Sequence, residues 1–431
     1  MNKKSLTLTL TAICTSFHVS LAQTDATEHE VTVTDYQGNK ETIELPEALT
    51  QDIDSLMNMY MSRKYLMEDE DCNMQNVNPT FSKEVYIDRL SRIPSVIEMP
   101  YNNVVQTFID RYSGRLRHSV SYMLGAANFY MPIFEEALEA YQLPLELKYL
   151  PVIESALKPT AVSHAGATGL WQFMITTGKM YGLNVNSLVD DRRDPVKSSY
   201  AAAHYLKDLY SIFGDWHLVI AAYNCGPENI NKAIKRSNGV KDYWQIYPYL
   251  PKETRGYVPA FIAANYIMTY YCEHNICPMR TRLPACTDTV MITKDVHLEQ
   301  IAKVMEMDLD AVRALNPIYR NDVIPGHSSP SCLRLQQSDI ARFIDLQDSI
   351  YAYKTDSLLN KRTEVAVNET VAGRRSSKGR ASTSRARTVT VRKGQTLSEI
   401  AKKNGTTVAK LRKLNNLKGS NLQIGKKLRV R

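Results

Sequence analysis

With 431 residues the chain has room for two to four domains. Its 44% of hydrophobic residues is enough to bury a core through most of that length, which excludes a largely disordered chain. The net charge of +8 is unevenly spread: residues 373–431 hold 18 Lys and Arg against one acid, Glu399, which leaves the rest at −9. A basic tail behind an acidic body points to an anionic polymer or surface as partner.

Lys3 and Lys4 precede a mostly apolar or Thr/Ser stretch from Leu6 to Val19, and Ser20-Leu21-Ala22 supplies small residues for cleavage, so residues 1–22 read as a signal peptide. The stretch is shorter than the ~20 residues of a membrane span, and the bulky Ile13 before Cys14 argues against lipid attachment there. No later segment is apolar enough to span a bilayer. The expectation is an exported chain in the periplasm or cell envelope, with peripheral membrane association left open. Export makes nucleic acid a poor candidate partner and favours the anionic polymers outside a bacterial membrane. Six cysteines remain, at 72, 225, 272, 277, 286 and 332, and an even number in an oxidising compartment invites disulfides. There is no CxxC or HExxH pattern, so neither a metal site nor a cofactor is expected. The oligomeric state is not legible.

Residues 23–100 are weakly patterned. An alternating run from Val31 to Thr34 reads as a short strand ending at Gly38, and Ile53 to Tyr65 reads as a helix. From 101 to 275 the pattern is strongly helical. Asp194-Pro195 starts one helix, with Ala202, Leu206, Leu209 and Phe213 on a single face and Gly214 at its end.

Two later segments are copies of one unit. His297 to Lys303 aligns with Thr396 to Lys402, and Arg313-Ala-Leu-Asn316 with Arg412-Lys-Leu-Asn415, both at an offset of 99. Each copy has a strand-like start, two short helical patterns and an apolar close, which gives βααβ modules at 286–335 and 388–431. Between them, 336–360 reads as a helix, with Ile340, Phe343, Ile344 and Ile350 apolar. Residues 361–387 are Ser-, Arg- and Gly-rich and read as a disordered basic linker. In the first module Cys286 precedes the opening strand and Cys332 starts the closing one. Pairing of those strands predicts a Cys286–Cys332 disulfide, with Cys225 left unpaired.

In the helical region one carboxylate is out of place. Leu147, Leu150 and Glu154 share a helical stripe, so Glu154 stands where a leucine is expected, whereas Glu146 lies on another face. Desolvation there favours the protonated form and suits Glu154 to proton donation. A small-residue loop follows, Ala161-Val-Ser-His-Ala-Gly-Ala-Thr-Gly-Leu-Trp-Gln-Phe173, in which Ser163 and Gln172 can hydrogen-bond amides and hydroxyls. Ala221-Ala-Tyr-Asn-Cys-Gly-Pro227 ends a helix with Tyr223 and Asn224.

Glu154-Ser155, Gly169-Leu-Trp-Gln172 and Ala222-Tyr-Asn224, in this order, resemble the lytic transglycosylases with a lysozyme-like fold. Asp191-Arg-Arg-Asp-Pro195, Phe213-Gly-Asp-Trp216 and Glu253-Thr-Arg-Gly-Tyr-Val-Pro259 narrow the likeness to the membrane-bound lytic murein transglycosylase D branch. The repeats resemble LysM modules. The second copy fits that pattern well. The first departs from it at Val296-His297 and by an insertion from Arg320 to Ser331, which leaves its sugar binding open.

The resemblance implies a mainly α protein, a lysozyme-like catalytic domain at 101–275 followed by LysM-type modules. It implies cleavage of the bond between N-acetylmuramic acid and N-acetylglucosamine in peptidoglycan, with Glu154 as the sole acid and base. Ser155, Ser163, Gln172, Tyr223, Asn224 and Tyr257 are the substrate-binding residues it implies, Tyr257 the weakest of them. A two-carboxylate hydrolase needs a second acid about 5–9 Å away, and the Ser163–Gln172 and Tyr223–Asn224 motifs hold none. A lysozyme- or chitinase-like hydrolase on the same scaffold, and a non-catalytic wall-binding protein, are the rival readings.

Overall fold

The computed structural model describes residues 29–35, 38–50, 66–67, 72–73, 77–281, 283–360, 388–391, 396–404, 406–415 and 427–429. The signal segment, the expected 53–65 helix and the 361–387 linker lie outside the described residues.

The chain opens with a hairpin, β1 (Glu30–Thr34) and β2 (Lys40–Glu44), antiparallel with Val31 opposite Ile43. Helices α1 (Lys83–Ser91), α2 (Asn103–Ser113) and α3 (Arg117–Ala140) follow. A 3₁₀ turn, Leu145–Tyr149, leads into the short α4 (Leu150–Ser155). After α5 (Ile175–Met180) come α6 (Pro195–Phe213), α7 (Trp216–Cys225), α8 (Pro227–Arg236), α9 (Tyr243–Ile246) and α10 (Lys252–Thr269).

Local chemistry sets the helix ends. The Asp194 carboxylate caps α6 by accepting from the N–H groups of Val196 and Lys197 at 2.9 and 3.0 Å, with Pro195 in the first turn. Ala202, Leu206, Leu209 and Phe213 are buried on its inner face, as their spacing predicts. Asp215 caps α7 in the same way, accepting from Leu218 N–H at 2.8 Å.

The centre of the domain is α10. Every residue from Gly256 to Met268 is buried, which is the signature of a helix packed on all sides. The hairpin lies directly on it. A Cβ at Gly256 would stand 3.0 Å from both the Glu44 carbonyl oxygen and the Phe108 ring, a tight fit that glycine relieves. Val33, Ile43, Leu45 and Leu49 therefore join the same core as α2, α3 and α10, together with Tyr86 and Leu90 of α1. Residues of 30–50 and 83–91 thus share one core with the helical domain expected to start at residue 101.

Strand β3 (Leu66–Met67) pairs with β4 (Arg280–Thr281). The first repeat is then built from β5 (Thr287–Ile292), β6 (Asp295–His297), α11 (Leu298–Val304), α12 (Leu309–Leu315), β7 (Val323–Pro325) and β8 (Ser331–Gln336). The outer strands β5 and β8 pair antiparallel, which is the expected βααβ frame, and the insertion adds the small β6–β7 ladder. The expected single helix at 336–360 is instead three short ones, α13 (Ile340–Asp345), α14 (Gln347–Ala352) and α15 (Thr355–Leu358). Phe343 and Ile350 pack into the repeat's core, while Ile344 is exposed. The second repeat pairs β9 (Thr388–Thr390) with β10 (Lys427–Arg429) around α16 (Leu397–Lys403) and α17 (Val408–Leu414). Val391, Leu397, Ile400, Leu411 and Leu428 form its core.

The first repeat is tied to the helical domain. Asp190 N–H donates to the Ile318 carbonyl at 3.0 Å, Arg320 N–H donates to Leu188 at 2.6 Å, and the Arg320 guanidinium lies 3.4 Å from the Asp190 carboxylate.

The expected Cys286–Cys332 disulfide does not form. The register sets Cys332 opposite Met291, and Cys286 lies five residues further along that strand, roughly 17 Å away at the ordinary rise. The disulfide present joins Cys72 to Cys277, with Cα atoms 6.1 Å apart. Cys225, Cys272, Cys286 and Cys332 are free thiols, Cys225 as expected. Peptide mapping without reduction should therefore recover Cys72 linked to Cys277, and Cys286 as a free, alkylatable thiol. A linked Cys286–Cys332 peptide would refute the strand register.

Candidate active site

Helix α4 is six residues long and is stopped by two consecutive non-glycine residues in the left-handed region, Ala156 at φ +49 and Leu157 at φ +59. Such backbone costs roughly 1–3 kcal/mol per residue and persists where the surroundings over-determine it, commonly at functional sites. Here it turns the chain immediately after Glu154-Ser155. Leu147 and Leu150 are fully buried, as the stripe requires, and Glu154 is half-buried at the floor of a cleft. Glu146 points elsewhere and serves the packing: it is buried and accepts from Ile97 N–H at 2.6 Å and Ser95 Oγ at 3.0 Å.

The cleft has a volume of about 410 Å³. Glu154, Ser163, Gln172, Tyr223, Asn224 and Tyr257 all line it, brought together from α4, the 161–173 loop, α7 and α10. A smaller hollow of about 200 Å³ adjoins it, sharing Glu47, Glu154, Ser163 and Gln172 and adding Lys158.

Tyr257 is the closest partner of the acid, because its phenol donates directly to Glu154 Oε1. Tyr223 donates to the Trp171 carbonyl at 2.8 Å, and Trp171 is itself buried with its indole N–H on Ser199 Oγ at 2.9 Å. Gln172 sits at φ +47 and donates to the Gly169 carbonyl at 2.7 Å. Asn224 Oδ1 accepts from Thr254 Oγ1 at 2.8 Å. Ser163 Oγ accepts from Ala167 N–H at 3.0 Å and shapes the loop while lining the cleft. Ser155 lines only the smaller hollow; its buried hydroxyl lies 3.0 and 2.9 Å from the carbonyls of Pro151 and Leu170 and fastens α4 to the loop.

Two carboxylates with no role assigned from the sequence complete the cleft, Glu47 and, from the Glu253–Pro259 motif, Glu253, along with Tyr205. Glu253 stands one helical turn before Tyr257 on α10, a spacing that puts both on one face. Glu47 comes from the Glu47–Leu49 turn after the hairpin, where the sequence carries no pattern to reveal it.

Burial pushes the Glu154 carboxyl up to about 8. The Tyr257 hydrogen bond opposes that shift, and the charges of Glu253 and Glu47 add to it. The Glu253 carboxyl is also raised, mainly by burial and against a hydrogen bond from Asn224. The Tyr223 and Tyr257 phenols are pushed well above their ordinary value by burial and by Glu154, so both are neutral donors. The arrangement can therefore hold a protonated carboxyl at neutral pH, facing a groove of amides and phenols. No group of three or more His, Cys, Asp or Glu that could hold a metal occurs among the described residues.

Residues 131–246 match the family described as "Transglycosylase SLT domain". The chain carries a transglycosylase SLT domain. Residues 286–352 match the LysM-like domain of the lytic transglycosylase MltD and residues 389–431 match the LysM domain, so α13 and α14 belong with the first repeat. The chain is 32% identical over 298 residues to the membrane-bound lytic murein transglycosylase D of Escherichia coli (strain K12). That match takes in 67% of this chain and 60% of the relative's length. It is also 34% identical over 138 residues to the membrane-bound lytic murein transglycosylase F of Maricaulis maris, covering 28% of each chain. Among solved structures, the 70 kDa soluble lytic transglycosylase of Escherichia coli aligns at 27% identity and a TM-score of 0.29, over 34% of this chain and 25% of that one. The SLT domain is mainly α.

The SLT domain's loop is held by one glycine. Gly169 lies at φ +92, and an added Cβ would stand 1.8 Å from the Arg192 carbonyl oxygen. Gly169→Ala is expected to destabilise the protein by roughly 3 kcal/mol or more, read as a fall in the urea midpoint. A loss under about 1 kcal/mol would contradict the packing described.

Proposed function

We propose that this chain is an exported peptidoglycan lytic transglycosylase. It would cleave the β-1,4 bond between N-acetylmuramic acid and N-acetylglucosamine and leave a 1,6-anhydro-N-acetylmuramic acid end. The carrying observation is a half-buried Glu154, raised to about 8 and bonded by Tyr257, at the centre of a cleft in an SLT domain.

In this reading Glu154 gives its proton to the glycosidic oxygen as the C1–O bond breaks. The oxocarbenium-like charge is met by the substrate's own N-acetyl oxygen. Glu154, now ionised, takes the proton of the C6 hydroxyl as that oxygen closes on C1, so no water is consumed. Tyr257 holds the carboxyl in place, Gln172 and Asn224 meet acetamido or hydroxyl groups, and Tyr223 and Ser163 keep the groove in shape. The second reading is a hydrolase, favoured by the two further carboxylates Glu47 and Glu253 in the same cleft. Product mass separates the two: digestion of purified sacculi should release anhydro-muropeptides one water lighter than hydrolytic products. Glu154→Gln should fold normally and lose turnover by about 10²-fold or more. A variant keeping a tenth of the wild-type rate would remove Glu154 from the role.

Export into the periplasm or cell envelope is supported by the signal-like first 22 residues and by the Cys72–Cys277 disulfide, which suits an oxidising compartment. No helix among the described residues is long and apolar enough to cross a membrane. The C-terminal LysM domain, with the basic tail around it, would hold the enzyme on the wall polymer and raise its local concentration there. Deleting residues 373–431 should leave cleavage of small soluble glycans intact while reducing pull-down on whole sacculi. Equal pull-down of both forms would refute the tethering role.

A further inference from the structure

The N-terminal arm lies outside the residues matched to the SLT domain, yet it supplies part of the cleft wall. Its anchoring is firm: Ile43 is buried beside Gly256, Ala48 and Leu49 are buried, and the Arg111 guanidinium donates to the Leu49 carbonyl at 2.9 and 3.2 Å. Thr50 Oγ1 closes the turn on the Glu47 carbonyl at 2.8 Å. What this frame presents to the site is the Glu47 carboxylate. It lines both the main cleft and the smaller hollow, and its two oxygens face His164 N–H at 3.2 and 3.4 Å.

A clamp on His164 N–H needs only an acceptor, which an amide oxygen would supply. A carboxylate in this place adds a third acidic side chain to a cleft whose lining contains no Lys, Arg or His. Like charges at close quarters disfavour one another's ionised forms, so the charge costs stability unless the reaction uses it. We propose that Glu47 is a positioning residue for the reaction: the arm presents its carboxylate to the shared wall of the two hollows, where it clamps the loop that receives the glycan and sets the electrostatic surroundings in which Glu154 gives up its proton. This rests on Glu154 being the acid.

The groups acting on Glu154 can be named element by element. Tyr257 and Glu253 face it from α10, Tyr223 from α7 and Glu47 from the arm. Lys158, in the turn after α4, lines the smaller hollow, and burial pushes its pKa down. Of the charged groups, Glu253 and Glu47 both favour the protonated form of Glu154. Removing the Glu47 charge lowers the pH at which Glu154 ionises. Because the acid step uses the protonated form, the alkaline limb of kcat/KM must then move to lower pH.

The test uses the full-length protein and soluble glycan fragments of purified peptidoglycan, with kcat and KM measured from pH 5 to pH 9. Glu47→Gln keeps the acceptor for His164 N–H and removes the charge. Its alkaline limb is expected about half a pH unit or more below the wild type, with KM little changed. Glu47→Ala removes the clamp as well, and KM should rise several-fold on top of the same limb shift. A purely structural Glu47 would leave the Gln variant's pH profile on the wild-type curve, and that overlay overturns the proposal. So does an unchanged KM in the Ala variant. Glu154→Gln is run alongside. Should it stay active, the assignment of the acid has failed; should it be inactive while the Glu47→Gln profile overlays the wild type, only the role of Glu47 has failed.

Discussion

The Glu154 carboxyl sits half out of water at the end of a six-residue helix, with the Tyr257 phenol donating to it and two other carboxylates nearby. Burying a carboxyl without a cationic partner is costly, and the group responds by staying protonated. The rest of the domain is arranged to enforce that burial. Helix α10, enclosed on every side, fixes Tyr257 from below, and the left-handed residues Ala156 and Leu157 stop α4 so that Glu154 ends at the cleft floor. A better-solvated carboxyl would be ionised at neutral pH and could not serve as the proton donor proposed for it.

The opposite wall depends on a different buried charge. Arg192 and Asp190 form a fully buried bidentate pair at 2.9 Å for both contacts, and Arg192 also donates to the carbonyls of Gly166 and Phe173 at 3.1 and 3.0 Å. A buried ion pair is weak evidence of net stability, but losing one partner strands the other charge at roughly 3–5 kcal/mol. The pair therefore acts as a rigid bracket for the 161–173 loop. Arg320 of the first repeat reaches the same Asp190, so the bracket also fixes the LysM-like domain against the helical one. The Asp191-Arg-Arg-Asp-Pro195 motif thus serves geometry: Arg192 holds the loop and Asp194 starts α6.

Acidity and shape come from separate parts of the chain, and the arm joins them. Gly256 lets the hairpin backbone pack closely on α10, and the turn that follows places Glu47 against the loop at His164. The SLT domain and its N-terminal extension consequently share one core, and Glu47 of the extension lines both hollows of the site.

The sequence alone determined whatever rests on local periodicity and on order along the chain. The stripe of Leu147, Leu150 and Glu154 marked the carboxyl that stands among buried leucines, the Asp194-Pro195 cap and Gly214 bounded α6, and the 99-residue offset revealed the two βααβ repeats. Those signals are short-range, and burial follows directly from them. Only the tertiary structure decided the remainder. It set Tyr257 on Glu154 from 103 residues away, set the Ser155 hydroxyl against two carbonyls, and brought Glu47 into the cleft from an unpatterned segment. It also chose Cys72 and Cys277 as disulfide partners across 205 residues, because the β5–β8 register carried Cys286 past the reach of Cys332. Contacts of that separation depend on which surfaces the packed helices bring together, and no local pattern encodes them.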